Sequence, residues 1–399
     1  MVELSGTAGE EKDGDDAWHA DTIRSLAFDP TGRFLATAGD DKTLRLWRVS
    51  ADGRNLACVK RTSSSKKVCA TSFTDDGEHV IFANKYGDVH VVATAEATSG
   101  GADADGDAVE DADAPAFLLG HCCSIITDMV VPLGSNLVCT ADRDHKVRVS
   151  RLPTTASVID GSHEIQSFCY GHTAFVACVS AVGGAGTGST EHRIVTGGGD
   201  GTARLWRASD GALLSTVVLA EPFPEEEREG DVPRGAAPAS AAEVASGEAP
   251  REPTKAPAVT AVAAAASGIV VAAVEGRAAL AVMSTSADGT LELRRWLPVP
   301  GVGQPTSLAW DAAGTRLLGA GVAGEEEKTA VFFEATLVDG EVAPTGSNPF
   351  DAVKLNTPPG ATGGASVSAT LHKKTYDEEE REDRKKHRND KTKGAAVHA

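Results

Sequence analysis

A chain of 399 residues can bury a large core, either as two domains or as one big β domain. Its net charge of -19 looks prohibitive for a nucleic-acid partner, but residues 1–16, 101–115 and 221–252 carry net -5, -6 and -6, leaving the rest near neutral. Those acidic segments are rich in Gly, Ala and Pro and lack apolar periodicity, so disorder is expected there, and the folded part can hold a basic face. No apolar run reaches about 18 residues, so no transmembrane helix is expected, and the acidic N-terminus does not read as a signal peptide. The seven cysteines form no Cys-x-x-Cys pair and fall mostly in strand-like runs, which predicts reduced, buried thiols in a cytosolic or nuclear protein.

From residue 18 the chain alternates strand and turn. A first unit runs through Thr22–Phe28, Phe34–Ala38, Leu44–Val49 and Leu56–Val59, with Asp29-Pro30-Thr31-Gly32 as its first turn. A second unit is expected over Val68–Phe73, Val80–Ala83, Val89–Val92 and, beyond the acidic insert, Phe117–Leu119. The third comprises Ile125–Val131, Leu137–Thr140, Val147–Val149 and Ile165–Cys169; the fourth Phe175–Ser180, Arg193–Thr196, Ala203–Trp206 and Leu213–Leu219. Residues 220–256 are a Pro/Glu/Ala linker. A fifth unit follows over Val259–Ala264, Ile269–Val274, Ala279–Met283 and Leu291–Trp296. The sixth takes Thr306–Trp310, Leu317–Ala320, Thr329–Leu337 and, as its fourth strand, Ala352–Leu355. About 40–45 residues per four strands, with Trp closing a third strand, is the signature of an all-β WD40 β-propeller. The expected layout is an acidic N-terminus over 1–16, a propeller over 17–355 interrupted at 101–115 and 220–256, and a linker and charged tail over 356–399. Six blades are recognisable where seven are usual. A seventh improvised from the termini, a six-bladed ring and a truncated N-terminus all stay open.

Gly39 to Trp47 and Gly199 to Trp206 repeat one strand-turn-strand pattern, with Asp41 and Asp200 six residues before Trp47 and Trp206. In the third copy, Ala141 to Ser150, Asp144 stands six residues before Ser150, so a small polar residue replaces the aromatic one. His19, His121 and His172 each precede a unit and are expected to bond the turn aspartates Asp41, Asp144 and Asp200. These side chains are read as structural, satisfied polar groups rather than catalytic ones.

No constellation carries chemistry. Gly319 to Gly324 matches GxGxxG, but Glu325 to Glu327 follow where phosphates would bind and no βαβ unit surrounds it, so it reads as a glycine-rich loop between strands. Gly183 to Ser189 lacks the lysine of a phosphate-binding loop, and no metal-ligand spacing occurs. No catalytic residue, metal site, cofactor or small-molecule substrate is therefore expected. A binding surface is better supported: Arg143, Lys146 and Arg148 project from one turn and the strand after it, beside the clearing that Ser150 leaves. Lys85, in the Asn84-to-Asp88 turn, could add to a neighbouring face.

Three stretches carry a resemblance to a known family. Leu119 to Ser150, ending ADRDHKVRVS, Ile165 to Ser180 (IQSFCYGHTAFVACVS) and Gly197 to Leu214 (GGGDGTARLWRASDGALL) resemble the WD40 subunit of the eukaryotic tRNA (guanine-N7)-methyltransferase. Asn84 to Val89 and Leu371 to Glu380 resemble its DKxGDV turn and its C-terminal tail, and the strong match spans roughly residues 68–219. The resemblance implies a non-catalytic subunit that forms a heterodimer with a separate S-adenosylmethionine-dependent methyltransferase and helps position tRNA. It also implies that Lys146 and Arg148 make the charged contacts, with Arg143 a weaker addition. On that reading Arg148→Glu should abolish co-purification and leave the propeller folded, since breaking a desolvated pair costs about 2–5 kcal/mol. Arg384 to Lys393 resembles a nuclear-localisation patch, so the nucleus is the expected location, with the cytoplasm open. A generic scaffold for ubiquitin ligation, chromatin or signalling complexes is the alternative. A propeller hydrolase is a weaker rival, because no acid/base set converges.

Overall fold

A computed structural model describes residues 18–345 apart from 54, 95–114, 123, 154–157, 159, 184–190, 221–255, 324–328 and 339. The expected segments 1–16, 101–114, 221–255 and 356–399 lie outside the described residues, as does Ala352–Leu355. Within them lie six four-stranded antiparallel sheets. Blade one is β1 (Ile23–Phe28), β2 (Phe34–Gly39), β3 (Thr43–Val49) and β4 (Leu56–Ser63). Blade two is β5 (Val68–Phe73), β6 (His79–Asn84), β7 (Asp88–Ala93) and β8 (Ala116–Gly120). Blade three is β9 (Ile126–Val130), β10 (Leu137–Asp142), β11 (Lys146–Arg151) and β12 (Ile165–Tyr170). Blade four is β13 (Val176–Val182), β14 (Arg193–Gly198), β15 (Thr202–Arg207) and β16 (Leu213–Val218). Blade five is β17 (Val259–Ala264), β18 (Ile269–Val274), β19 (Ala279–Thr285) and β20 (Leu291–Pro298). Blade six is β21 (Gln304–Trp310), β22 (Arg316–Ala323), β23 (Thr329–Val338) and β24 (Glu341–Pro344).

From blade one to blade six the first strand of each blade packs on the first strand of the next, so β1, β5, β9, β13, β17 and β21 form the inner wall. Central strands of blades two to five are apolar on both faces because each of these blades is sandwiched between two others. In β18, Val270, Ala272 and Val274 pack with the fourth blade's Leu205 and Leu219, while Val271 and Ala273 pack with the sixth blade's Leu317 and Phe333. The outer strands β4, β12 and β16 are only partly buried, in keeping with their mixed composition.

Two expectations change. The fourth strand of blade six is β24, which pairs with β23 directly, Val338 opposite Glu341. Gly340, at positive φ immediately before β24, suits so short a hairpin. Gly319 and Gly321 lie in β22 rather than in a loop. A β-carbon on Gly319 would come within 2.0 Å of the Phe333 ring, so glycine is there to admit an aromatic side chain.

The tight turn between second and third strands puts one residue in the left-handed region. Gly87 and Gly201 hold that place in blades two and four, but Lys42 (φ 63°) and His145 (φ 71°) hold it in blades one and three. The Lys42 side chain is exposed, so Lys42→Gly should relieve backbone strain at little other cost and stabilise the protein by about 1 kcal/mol. Urea denaturation measures this, and a loss of stability would contradict it.

Asp128 on β9 links blades three and four: its carboxylate accepts hydrogen bonds from the Met129 amide (2.8 Å) and, across the interface, the Val179 amide (2.9 Å). Burial pushes this carboxyl up to about 6 despite those two bonds. The folded state therefore holds the proton more tightly than the unfolded state. Above pH 6 the buried charge carries its full penalty, and the penalty is lifted as pH falls from 6 towards 4. Between pH 7.5 and 4.5 wild type should gain about 2 kcal/mol relative to Asp128→Asn. Parallel stability profiles for the two proteins would refute the assignment.

A candidate protein-docking edge on the third blade

Blades one and four share one polar network. His19 Nδ1 donates to Asp41 Oδ2 (2.7 Å), and its Nε2 meets Thr37 Oγ1 (2.8 Å). In blade four His172 reaches Asp200 (3.0 Å) and Thr196 Oγ1 (2.8 Å) in the same way. Trp47 and Trp206 then donate through Nε1 to Thr37 and Thr196, each at 2.8 Å. With the histidine proton on Nδ1, each threonine hydroxyl accepts from indole and donates to Nε2, and every group is satisfied. Burial raises the Asp200 carboxyl, but bonds from His172, the Thr173 amide and Thr202 more than offset it and hold it well below the usual range. These residues brace the blade. The threonines were not singled out from sequence, although they recur at one fixed place in the repeat.

The third blade departs from this pattern. His121 does bond Thr140 Oγ1 (2.7 Å), but its aspartate is Asp142 (3.0 Å), not Asp144. Asp142 ends β10, is fully buried, and its other oxygen accepts from the Asp144 amide at 2.8 Å. Lys146, standing where blades one and four have Thr43 and Thr202, pairs with Asp142 at 2.6 Å. Burial raises the Asp142 carboxyl, and His121 and Lys146 outweigh it to leave the group below its ordinary value. Blade two closes its turn in a related way: Asn84, in the place of Asp142, bonds Asp88 (3.3 Å) in the place of Lys146.

Arg148 is more internal than its sequence suggests. Nε donates to Ser150 Oγ (2.8 Å) and Nη1 donates to the Gly120 carbonyl of blade two (2.9 Å). In blade four Arg204, in the place of Arg148, lies against the equivalent Gly171 together with the Trp206 ring, so a guanidinium at this place is part of the repeat, and in blade three it bonds Ser150 where blade four has the indole. The clearing beside Ser150 is therefore already occupied, and Arg148→Glu would set a carboxylate against a backbone carbonyl. That variant is expected to damage the blade two–three junction as well as any docking, so it does not leave the propeller intact as the sequence led us to expect.

Arg143 is the cation left uncommitted. Among the described residues it makes no ion pair, and its Nε is shut from water without a hydrogen-bond partner. Lys85 is not brought to this turn. It lies 3.9 Å from Asp40 of blade one, in a cluster where Arg24 (2.6 Å) and Lys67 (3.0 Å) also bind that carboxylate. Arg24 is the main reason the Asp40 carboxyl sits far below its ordinary value.

Beside the cations runs an aromatic edge that sequence reasoning did not single out. Tyr170 pairs with Lys146 across the β11–β12 ladder, and Phe168 pairs with Arg148, so the four side chains share one face. Phe168 and Tyr170 stack at 5.4 Å, and Tyr170 and Ile165 remain 64% and 47% exposed. The opposite face carries Val147, Val149 and Cys169 into the core with Trp206. The six described cysteines are free, and Cys122 alone among them is exposed. Burial pushes the Cys69 and Cys169 thiols up to about 12, which keeps them unreactive. No group of three His, Cys, Asp or Glu suited to a metal occurs among the described residues, and no helix there is long and apolar enough to cross a membrane.

Six four-stranded blades with His–Thr–Asp networks in three of them define a WD40 β-propeller. The chain belongs to the family of the tRNA methyltransferase TRM82 WD40 domain, whose model matches residues 4–115 and 104–310. A Xenopus laevis protein named tRNA (guanine-N(7)-)-methyltransferase non-catalytic subunit wdr4 is 30% identical over 219 residues, 55% of this chain and 48% of that protein. The Mus musculus protein of the same description is 31% identical over 217 residues, covering 53% and 45%. One from Dictyostelium discoideum is 29% identical over 203 residues, covering 50% and 40%. The chain spans about half the length of the curated relatives it matches.

Proposed function

We propose that this chain is the non-catalytic subunit of a tRNA (guanine-N7)-methyltransferase, forming a heterodimer with a separate catalytic subunit and helping it hold tRNA. The observation that carries the docking site is the edge of blade three, where exposed Tyr170 lies across the ladder from Lys146 and exposed Ile165 across from Ser150, with Arg143 in the turn that leads into the strand. Aromatic residues and arginine on one exposed strip are what protein interfaces concentrate, with apolar area for affinity and cations for orientation. Arg143 supplies the free charge, Lys146 is held in place by Asp142, and Arg148 fixes the strand that bears them. S-adenosylmethionine belongs to the catalytic partner, and this chain contributes rigidity and position. Contact with tRNA would run through lysines and arginines to phosphate and weaken as salt rises. The basic tail over Arg384 to Lys393 favours a nuclear location.

The test is reconstitution. The catalytic subunit from the same organism, alone and with this chain, is assayed for methyl transfer from S-adenosylmethionine to unmodified tRNA. Activity that requires both chains supports the proposal. Full activity of the catalytic subunit alone, with no complex on gel filtration, overturns it in favour of a scaffold for other assemblies.

A further inference from the structure

A closed ring of six blades has six interfaces, and the described residues supply five. Blades one and two share Ala38, Leu44, Phe73 and Val80; two and three share Ile81, Val91, Met129 and Val131. Blades three and four meet through Val149, Val179 and Trp206, and blade five packs against four on one face and six on the other. No packing of comparable extent joins β21–β24 to β1–β4.

The residues that would line the sixth interface are correspondingly bare. In β1, Ser25 and Ala27 point towards blade two, where Ser25 Oγ bonds Thr71 Oγ1 (2.8 Å). Leu26 and Phe28 point the other way and are 62% and 58% exposed. Their counterparts on β9, Met129 and Val131, lie in the core between blades two and three. On the far side of the opening, β22 buries Leu317 against blade five but leaves Leu318, Ala320 and Val322 half-exposed.

The chain runs on for 54 residues past Thr345, more than the roughly 40–45 that one blade uses. Within it Ala365, Val367, Ala369 and Leu371 alternate with Ser366, Ser368, Thr370 and His372, an uninterrupted period-2 pattern without Gly or Pro. Residues 346–364 can span about 60 Å when extended. That far exceeds the roughly 15 Å from the outer to the inner strand of a four-stranded sheet.

We propose that Ala365–His372 enters this opening as a β-strand, sets Ala365, Val367, Ala369 and Leu371 against Leu26 and Phe28, and closes the ring. The inference stands apart from the proposed function, since it concerns the chain by itself. The test is hydrogen exchange on the full-length protein alone, read on peptides covering 365–372 and Ile23–Phe28. Slow exchange at both is expected. Val367→Asp/Leu371→Asp should speed both by at least tenfold while β17–β20 stay protected, and Ala361→Asp should change neither. Coil-like exchange of 365–372 in the full chain overturns the proposal. So does protection that arises only with dimerisation at high concentration, which would assign the face to a second copy. Protection that arises only when the methyltransferase subunit is added overturns it as well.

Discussion

Asp142→Ala is expected to cost about 3 kcal/mol of stability. The carboxylate is fully buried between His121 and Lys146, and its removal strands a half-buried ammonium and an imidazole N–H. Two turn-closing amides, Asp144 and Lys146, lose their acceptor as well. Asp144→Ala should cost less than half as much, because that carboxylate takes no part in the His121 pairing. Denaturant titrations of the two variants measure the difference. Equal losses, or a larger loss at Asp144, would restore the simpler repeat in which the turn aspartate serves the histidine in every blade.

Tyr170→Ala is expected to weaken binding of the methyltransferase subunit about thirtyfold, roughly 2 kcal/mol, with the propeller unchanged. Tyr170 is the most exposed aromatic residue of β12 and is held by stacking on Phe168, so little ordering entropy opposes its burial. Arg143→Glu should weaken binding further and reverse its salt dependence, because it replaces an uncommitted cation by an anion. Leu213→Ala, on the exposed edge of blade four, is the control and should have no effect. Calorimetric titration at two salt concentrations reads all three. Unchanged affinity for Tyr170→Ala with a loss for Leu213→Ala would move the docking edge to blade four.

Much of the fold is legible in the sequence because blades are local. Strands of four to ten residues, several of them joined by Asp-Gly turns, set out the four-strand units, and 23 of the 24 strands fall where the alternation puts them. The exception, β24, follows a hairpin signal in Asp339-Gly340 but is only 4 residues long, too short for alternation to mark it. The site is harder to read. Asp142 and Asp144 are two residues apart, so alternation gives both the same face, and counting back from Ser150 chose the wrong one. Lys146 in place of a threonine was the available clue, since a lysine there needs a buried acid nearby. The commitment of Arg148 to Gly120 is a contact between blades 28 residues apart in the chain, which no local pattern encodes. Tyr170 likewise becomes notable only when the ladder sets it beside Lys146.

These differences change how the third blade is understood. The three basic residues do not all project freely from the turn and strand. Lys146 and Arg148 are built into the blade, and their burial makes the turn and outer strand rigid, while Arg143 and the aromatic edge remain for a partner. A rigid, preformed surface binds with little reorganisation, which is what the proposed role of holding another protein in place requires.

The account is tested most directly by hydrogen exchange on the propeller with and without the methyltransferase subunit. Slower exchange in the complex at peptides covering 141–151 and 165–173, with blade five unaffected, is the predicted result. Protection confined to other blades, with these two peptides unchanged, would contradict it.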